Sequence, residues 1–74
     1  MKVKVANRTY NMTKAKYKGL LKIASEQVPF GIYAVEKNDY AELCNLKCSS
    51  TTQLKNLKFQ YKKQGFKVYA NGRE

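Results

Sequence analysis

The sequence predicts a small α+β domain with an antiparallel sheet and two helices packed on one face of that sheet. Short stretches that alternate apolar and polar residues lie near both ends and in the middle of the chain, as is typical of half-buried strands. Two longer stretches repeat apolar residues at helical spacing. The 74 residues, of which 43% are apolar, are enough for one small core, so we expect a single domain over residues 1–74.

The first two strands are predicted within residues 2–12. Val3 and Val5 alternate with lysines, and Tyr10 and Met12 resume the alternation after a short turn. This pattern predicts a hairpin and the element order ββαββαβ. The alternative is one long bent strand, which would give the ferredoxin-like order βαββαβ.

The first helix is predicted over residues 14–27. Thr13 precedes it as a suitable N-cap, and Pro29 and Gly31 end it and lead into the next strand. Apolar residues at helical spacing define the side that would face the sheet: Tyr17, Leu20, Leu21, Ala24 and Val28.

A second hairpin is predicted from residues 32–36 and the return strand 40–47, which are joined by a turn. Both faces of this hairpin are partly apolar. One face carries Ile32, Ala34, Ala41 and Leu43, and the other carries Tyr33, Val35, Tyr40 and Leu46. We therefore expect the hairpin either to be central in the sheet or to contact another molecule through one of its faces.

The second helix is predicted over residues 52–64. It follows four hydroxyl residues at 49–52, which favour a helix start, and Gly65 is its expected end. Its core stripe consists of Leu54, Leu57 and Tyr61. Residues 66–70 alternate again and predict the last strand, and residues 71–74 are expected to be a flexible tail.

The positive charge of the chain is divided between two blocks. The net charge is +10, and fourteen of the fifteen basic residues lie in residues 2–22 and 47–73, neither of which contains an acidic residue. A net positive charge of this size creates an electrostatic field that attracts polyanions, whatever the fold of the chain. Because the basic residues are separated into two stretches, each stretch can present its own cationic face.

Both predicted helices carry rows of lysines beside their apolar stripes. Rows of like charge at helical spacing destabilise a helix by a few tenths of a kcal/mol, and an anionic partner would relieve that cost. Phe59 lies among the lysines of the second helix, away from its core stripe, and a lysine-flanked aromatic suits stacking as well as phosphate contact. The candidate contact residues are Lys14, Lys18, Lys22, Lys55, Lys58, Phe59, Lys62 and Lys63.

An alternative contact surface is the side of the sheet that the helices would leave open. Its candidate residues are Lys4, Lys67 and Tyr69, which are expected to point away from the helices. Lysines and aromatics on an open sheet suit single-stranded RNA.

Catalytic and metal-binding patterns are not found in the sequence. The chain has no histidine, which is the commonest metal ligand and the usual acid–base group near neutral pH. Cys44 and Cys48 are its only thiols, too few for a common structural zinc site, and Glu36 and Glu42 lack the usual supporting groups. We expect no enzyme activity, no cofactor and no metal.

The opening stretch MKVKVANRTYNMTKAKYKGLL combines a basic hairpin, a threonine cap and a tyrosine-containing helix. In this respect it resembles small uncharacterised proteins of Gram-positive phages and prophages. The resemblance implies a nucleic-acid accessory protein or an inhibitor of a host factor. No stretch has the composition of a signal peptide or the length of a transmembrane helix, so a cytoplasmic location is expected, in the host cell if a phage encodes the chain.

Two functional hypotheses follow. The first is a non-enzymatic protein that contacts nucleic acid through its helical lysines with low sequence specificity. The alternative is a protein-binding module, such as a phage inhibitor, that engages an acidic surface of a host protein. The small core and the two-sided hairpin also predict a homodimer.

Overall fold

The computed structural model describes residues 1–72, which form five strands and two helices in the order ββαββαβ. The elements are β1 (Lys2–Val5), β2 (Arg8–Asn11), α1 (Lys14–Gln27), β3 (Gly31–Lys37), β4 (Tyr40–Lys47), α2 (Thr51–Lys63) and β5 (Lys67–Asn71). The α+β class and this order are therefore confirmed. The ferredoxin-like alternative is not observed, because residues 2–12 form a hairpin.

The five strands form one sheet in the order β2-β1-β4-β3-β5. The pairs β1–β2, β3–β4 and β3–β5 are antiparallel, whereas β1 and β4 are parallel. The sheet is thus mixed rather than purely antiparallel. The hairpin of β3 and β4 lies inside it, and β2 and β5 form its edges.

Each face of the sheet has its own core and its own helix. On one face, Tyr17 of α1 packs with Val3 and Ala41, and we call this the α1 face. On the other face, Leu54 of α2 packs in the same cluster as Ile32, Val35 and residues of β5, and we call this the α2 face. Strand partners in register share a face, so the assignment extends from these residues to the rest of each strand.

The prediction that both helices lie on one face is therefore wrong, and the topology explains why. The helix α1 connects β2 with β3, and α2 connects β4 with β5, each pair being parallel within the sheet. Along the order β2-β1-β4-β3-β5, both connections lead towards the β5 edge. The strands β2 and β3, however, run in the direction opposite to β4 and β5. Because such crossovers are almost always right-handed, they must leave the sheet on opposite faces.

The central position of β3 and β4 explains the two-sided apolar pattern of their hairpin. A β-bulge between Ile32 and Ala34 shifts the register against both neighbouring strands. As a result Ile32 faces α2, whereas Ala34 shares the α1 face with Leu43 and Tyr69. The sequence left open whether this hairpin is central in the sheet or contacts another molecule, and the structure shows that it is central.

Local side-chain hydrogen bonds fix the two helix starts. Thr13 Oγ1 accepts from the Lys16 amide at 3.3 Å, as predicted for an N-cap. Ser50 caps α2 by accepting from the Gln53 amide at 3.2 Å, and Gln53 Oε1 in turn accepts from the Ser49 amide at 3.0 Å. The reciprocal arrangement resembles a capping box and explains why α2 begins one residue before the predicted start.

The C-terminal part of the chain is more ordered than the sequence indicates. Asn71 was expected in a flexible tail, but it is the last residue of β5, and its Nδ2 donates to the Val28 carbonyl at 3.0 Å. It thereby satisfies a free carbonyl at the end of α1. The remaining tail positions 73 and 74 lie outside the described residues. Within residues 1–72, neither helix has the length and apolarity that a membrane crossing needs.

Candidate functional site

The flank of α1 that carries Lys14 and Lys18 lies over β5. Ser25 belongs to the same flank at roughly 100° per residue, and the Asn71 side chain of β5 donates to its carbonyl and hydroxyl oxygens at 2.9 and 3.0 Å. Lys14 and Lys18 also line a small cleft together with Tyr69 of β5. The two lysines are therefore held on the β5 side of the α1 face.

Two contacts define how α2 is rotated on the opposite face. Leu54 lies beside the end of β5, since a Cβ atom on Gly72 would be only 2.6 Å from Leu54 Cδ2. Tyr61 lies instead beside Cys44 of β4, and it packs edge-on against Phe66 with ring centroids 5.9 Å apart. The Leu54 side of α2 is therefore turned towards β5 and the Tyr61 side towards β4.

The lysine row of α2 lies beyond Leu54, on the β5 side. At roughly 100° per residue, the order around the helix is Tyr61, Leu54, Lys58, Lys62 and then Lys55. Lys58 is half-buried alongside the core, whereas Lys62 and Lys55 are exposed. This row thus approaches the β5 edge from the α2 face, as Lys14 and Lys18 approach it from the α1 face.

The structure therefore brings lysines from both sequence blocks together around one edge of the sheet. Within residues 1–72, β5 pairs with β3 alone, and its outer edge has no partner strand. We call the lysines around this edge the basic rim. They are Lys14 and Lys18 from α1, Lys55, Lys58 and Lys62 from α2, and Lys67 from β5 itself.

No lysine of the basic rim forms an ion pair within residues 1–72, and the one acidic side chain near the rim in that part of the chain is Glu36, in register with Lys67. The one ion pair in that part of the chain joins Lys4 and Glu42, with Nζ and Oε1 3.7 Å apart, away from the rim. Lys37, between the two basic blocks, donates to the Gln64 carbonyl at 3.0 Å and lies 5.6 Å from the Phe66 ring centroid. Cations that fold without a counter-ion attract mobile anions or an anionic partner.

Phe59 borders the rim and faces solvent. Its side chain is 67% exposed, although phenylalanine is usually buried. This agrees with the helix phase that the sequence predicts. The other two candidate residues, Lys22 and Lys63, are also exposed but lie further round their helices, away from β5.

The alternative sheet surface does not exist as one patch. Lys67 and Tyr69 lie on the α1 face, because they are in register with Glu36 and Ala34. Lys4 lies on the opposite face. The expectation that all three point away from both helices is wrong, since each face carries a helix; Lys67 and Tyr69 instead belong with the lysines of α1.

A cluster of tyrosines surrounds Glu36 on the α1 face. The Tyr17 hydroxyl donates to Glu36 Oε2 at 2.9 Å, and Tyr17 is only 3% exposed. Tyr69 stacks in a tilted arrangement with Tyr33, their centroids 6.2 Å apart, and the Lys67 ammonium lies 5.1 Å from the Tyr69 ring centroid. The cluster places aromatic, anionic and cationic groups next to the basic rim.

Two tyrosines of this cluster, Tyr17 and Tyr69, hold their protons firmly. Burial raises the pKa of Tyr17 above the usual tyrosine value, and its hydrogen bond to Glu36 raises it further. Burial also raises the pKa of Tyr69, with a second contribution from Glu36. At neutral pH both phenols are therefore neutral hydrogen-bond donors.

The sequence reasoning missed Tyr17 and Glu36 as site residues. Tyr17 was assigned to the core stripe of α1, which is correct, but its hydroxyl reaches the sheet beyond that core. Glu36 was considered together with Glu42, yet the two carboxylates lie on opposite faces. The available signal was that Glu36 is an acidic residue in an apolar stretch, a pattern that requires a hydrogen-bonding partner.

The two cysteines show no reactive or metal-binding arrangement. Both thiols are free and half-buried, and burial raises the pKa of Cys44, which keeps it protonated at neutral pH. Residues 1–72 contain no group of three histidine, cysteine or acidic side chains that could hold a metal ion.

A comparison with protein-family models, with curated proteins and with solved structures finds no match for this chain.

Proposed function

We propose that this protein binds nucleic acid through the basic rim, using phosphate contacts and little base specificity. The observation that supports the proposal is the position of the lysines. They come from distant parts of the sequence and from opposite faces of the sheet, yet they surround one edge strand. None of them forms an ion pair within residues 1–72.

The shape of the rim favours a flexible polyanion. Its lysines lie on a helix, an edge strand and a second helix, so they follow a convex path around the sheet. Lysine ammonium groups on long side chains can follow an irregular phosphate backbone, but they do not provide the planar, paired donors with which arginine reads guanine. Phe59 adds an exposed ring at the end of this path, suited to stacking on a base.

The first experiment measures affinity for generic single-stranded and duplex DNA and RNA over a series of salt concentrations. Phosphate contacts release counter-ions, so the logarithm of the affinity is expected to fall linearly with the logarithm of the salt concentration. The slope is roughly 0.7 to 0.9 per phosphate contact. Absence of binding at low salt, or binding that does not change with salt, would contradict the proposal.

Paired substitutions then test whether the rim is the contact surface. Lys55→Gln with Lys62→Gln is expected to weaken binding and to flatten the salt slope by roughly one unit per lost phosphate contact. Lys14→Gln with Lys18→Gln should have a similar effect from the other face. Helix propensity hardly changes, because lysine and glutamine have similar values.

The matched control is Lys16→Gln with Lys47→Gln. It removes the same net charge, but Lys16 lies on the opposite flank of α1 and Lys47 lies at the end of β4. If the control weakens binding as much as the rim variants do, net charge rather than the rim accounts for affinity.

An acidic protein surface is the competing partner for the same lysines. A pull-down from nuclease-treated lysate distinguishes the two classes. Loss of captured protein after nuclease treatment supports nucleic acid. Capture of one stoichiometric protein that the rim variants lose would replace the proposal with the protein-binding hypothesis.

A further inference from the structure

A cleft of about 160 Å³ lies between the first turns of α1 and the sheet, at the α1 side of the basic rim. Its lining includes Tyr17, Tyr69 and Glu36, which are buried or half-buried, and Lys14 and Lys18, which are exposed and therefore lie towards its border. Ligand pockets for larger small molecules usually measure about 300 to 1,000 Å³. A cleft of this size suits a single planar ring rather than a larger ligand.

Glu36 gives the cleft a specific hydrogen-bonding character. A carboxylate only accepts hydrogen bonds and offers about four acceptor positions. The Tyr17 hydroxyl uses one of them on Oε2 and fixes the orientation of the side chain, and Tyr69 and Lys67 lie close to the same carboxylate. The acceptor positions that remain suit a ligand that presents N–H donors.

The lysines at the border of the cleft suit a second, anionic group on the same ligand. Lys14 and Lys18 form no ion pair within residues 1–72, and their ammonium groups suit phosphates. A carboxylate repels phosphate, so the anionic part of the ligand must stay at the border while a neutral donor part enters. A nucleotide within a single strand has this composition, with phosphates on both sides of a neutral base.

We propose that this cleft binds one unstacked base of single-stranded nucleic acid and prefers guanine, whose N1–H and exocyclic N2–H₂ groups can both donate to the Glu36 carboxylate. The Tyr17 and Tyr69 rings provide apolar contact for the base, and Lys14 and Lys18 hold the flanking phosphates. This inference rests on the proposed function and adds a base preference to it. Thymine has one imide N–H and no amino group, so it makes a poorer partner.

The test compares two oligonucleotides by fluorescence anisotropy at fixed salt. One is an oligothymidine of about 12 nucleotides, within the usual range of single-strand sites, and the other carries one central guanine. We expect the guanine oligonucleotide to bind at least about fivefold more tightly, as for one bidentate base contact. Equal affinities would overturn the inference.

Glu36→Gln identifies the carboxylate as the cause. Glutamine keeps a carbonyl oxygen that can accept from Tyr17, so the fold is expected to persist, which thermal unfolding checks. The variant should lose the preference for guanine, whereas its affinity for oligothymidine should increase because one negative charge is removed. A structural role alone would change both affinities by the same factor, and a retained preference would overturn the inference.

Glu42→Gln is the matched control, since it removes the same charge from the opposite face of the sheet. It should keep the guanine preference of the parent.

Different results contradict the proposed function and the guanine preference. Failure to bind either oligonucleotide at low salt contradicts both of them, whereas binding of both with equal affinity contradicts the guanine preference and leaves the rim intact.

Discussion

Gly31 shows how one backbone position allows the central hairpin to form. It has a φ of +147°, which residues with a side chain rarely adopt, and a Cβ atom there would collide with the Leu46 carbonyl oxygen on β4. Gly31 also begins β3 directly after the Pro29 turn. The close approach of the two strands thus depends on the missing side chain.

Gly31→Ala is expected to lower the free energy of unfolding by about 2 kcal/mol or more, because strain at such positions costs about 1–3 kcal/mol and the clash adds to it. Chemical denaturation measures the change. Gly19→Ala is the matched control: Gly19 lies within α1, where a Cβ atom meets nothing within 4 Å. That variant should gain about 1 kcal/mol from helix propensity.

The Tyr17–Glu36 contact gives the fold a dependence on alkaline pH. The pKa of Tyr17 is raised in the folded protein, by burial first and then by the Glu36 carboxylate, relative to about 10 in the unfolded chain. The stability contributed by this phenol is therefore complete below about pH 10 and is lost as the pH rises further. Unfolding experiments above pH 10 should show this loss.

Tyr17→Phe should make the alkaline loss of stability shallower while lowering stability at pH 7 by about 1–3 kcal/mol, since it removes a hydrogen bond to a charged group. Tyr10→Phe is the control, because Tyr10 is 45% exposed on the edge strand β2. If both variants follow the parent curve above pH 10, Tyr17 does not cause the loss.

At the scale of elements, helix boundaries were predictable because their signals are local. The predicted bounds of α1 agree with the structure, and α2 is displaced by one residue at each end. Helical spacing of apolar residues, hydroxyl caps and Gly65, which has a φ of +91°, all act within a few residues. The end of β5 could not be predicted in this way, because Asn71 is held by a hydrogen bond to α1.

Phe59 tests the orientation of α2. Phe59→Ala should change the free energy of unfolding by less than about 0.5 kcal/mol, as for other exposed positions, while weakening single-strand binding by roughly 1–3 kcal/mol through lost stacking. Leu54→Ala is the contrasting variant: Leu54 is only 7% exposed, and its truncation should cost about 2–5 kcal/mol. Unfolding of the Phe59 variant would show that the ring belongs to the core.

In the whole molecule, each face of the sheet carries one helix over its central strands, and within residues 1–72 both edge strands lack an outer partner. The covered faces account for the two-sided apolar pattern of the central hairpin within one chain. The predicted homodimer therefore rests on the free edges of β2 and β5 and on the small core. Pairing through β5 would bring two basic rims together, so β2 is the more favourable edge.

Light scattering over the micromolar range, at moderate salt, tests the homodimer. Dimers that pair through β2 should persist when salt is lowered, because the rim lies at the other edge of the sheet. In the β1–β2 ladder Tyr10 is hydrogen-bonded to Val3, so the amide of its neighbour Thr9 points outward from the edge. Thr9→Pro removes this outward donor and is expected to shift such a dimer towards the monomer. A monomer throughout the concentration range would contradict the prediction.

The helices, their caps, the approximate strands and the unbalanced positive charge were predictable from the sequence, which left open whether residues 2–12 form a hairpin or one bent strand. These properties depend on neighbouring residues or on composition, so they can be deduced without knowing which strands meet. The same reasoning identified the lysines and Phe59 as candidates but did not relate the two helices to each other.

Which lysines share a surface became evident from the packing of the elements. The insertion of β1 beside β4 as a parallel neighbour, together with two right-handed crossovers, sends the helices to opposite faces of the sheet. Lys4 is thereby separated from Lys67 and Tyr69, and the lysine rows of both helices meet around β5. Strand order arises from contacts between residues far apart in the chain, and for that reason local patterns could not reveal the basic rim or the cleft at Glu36.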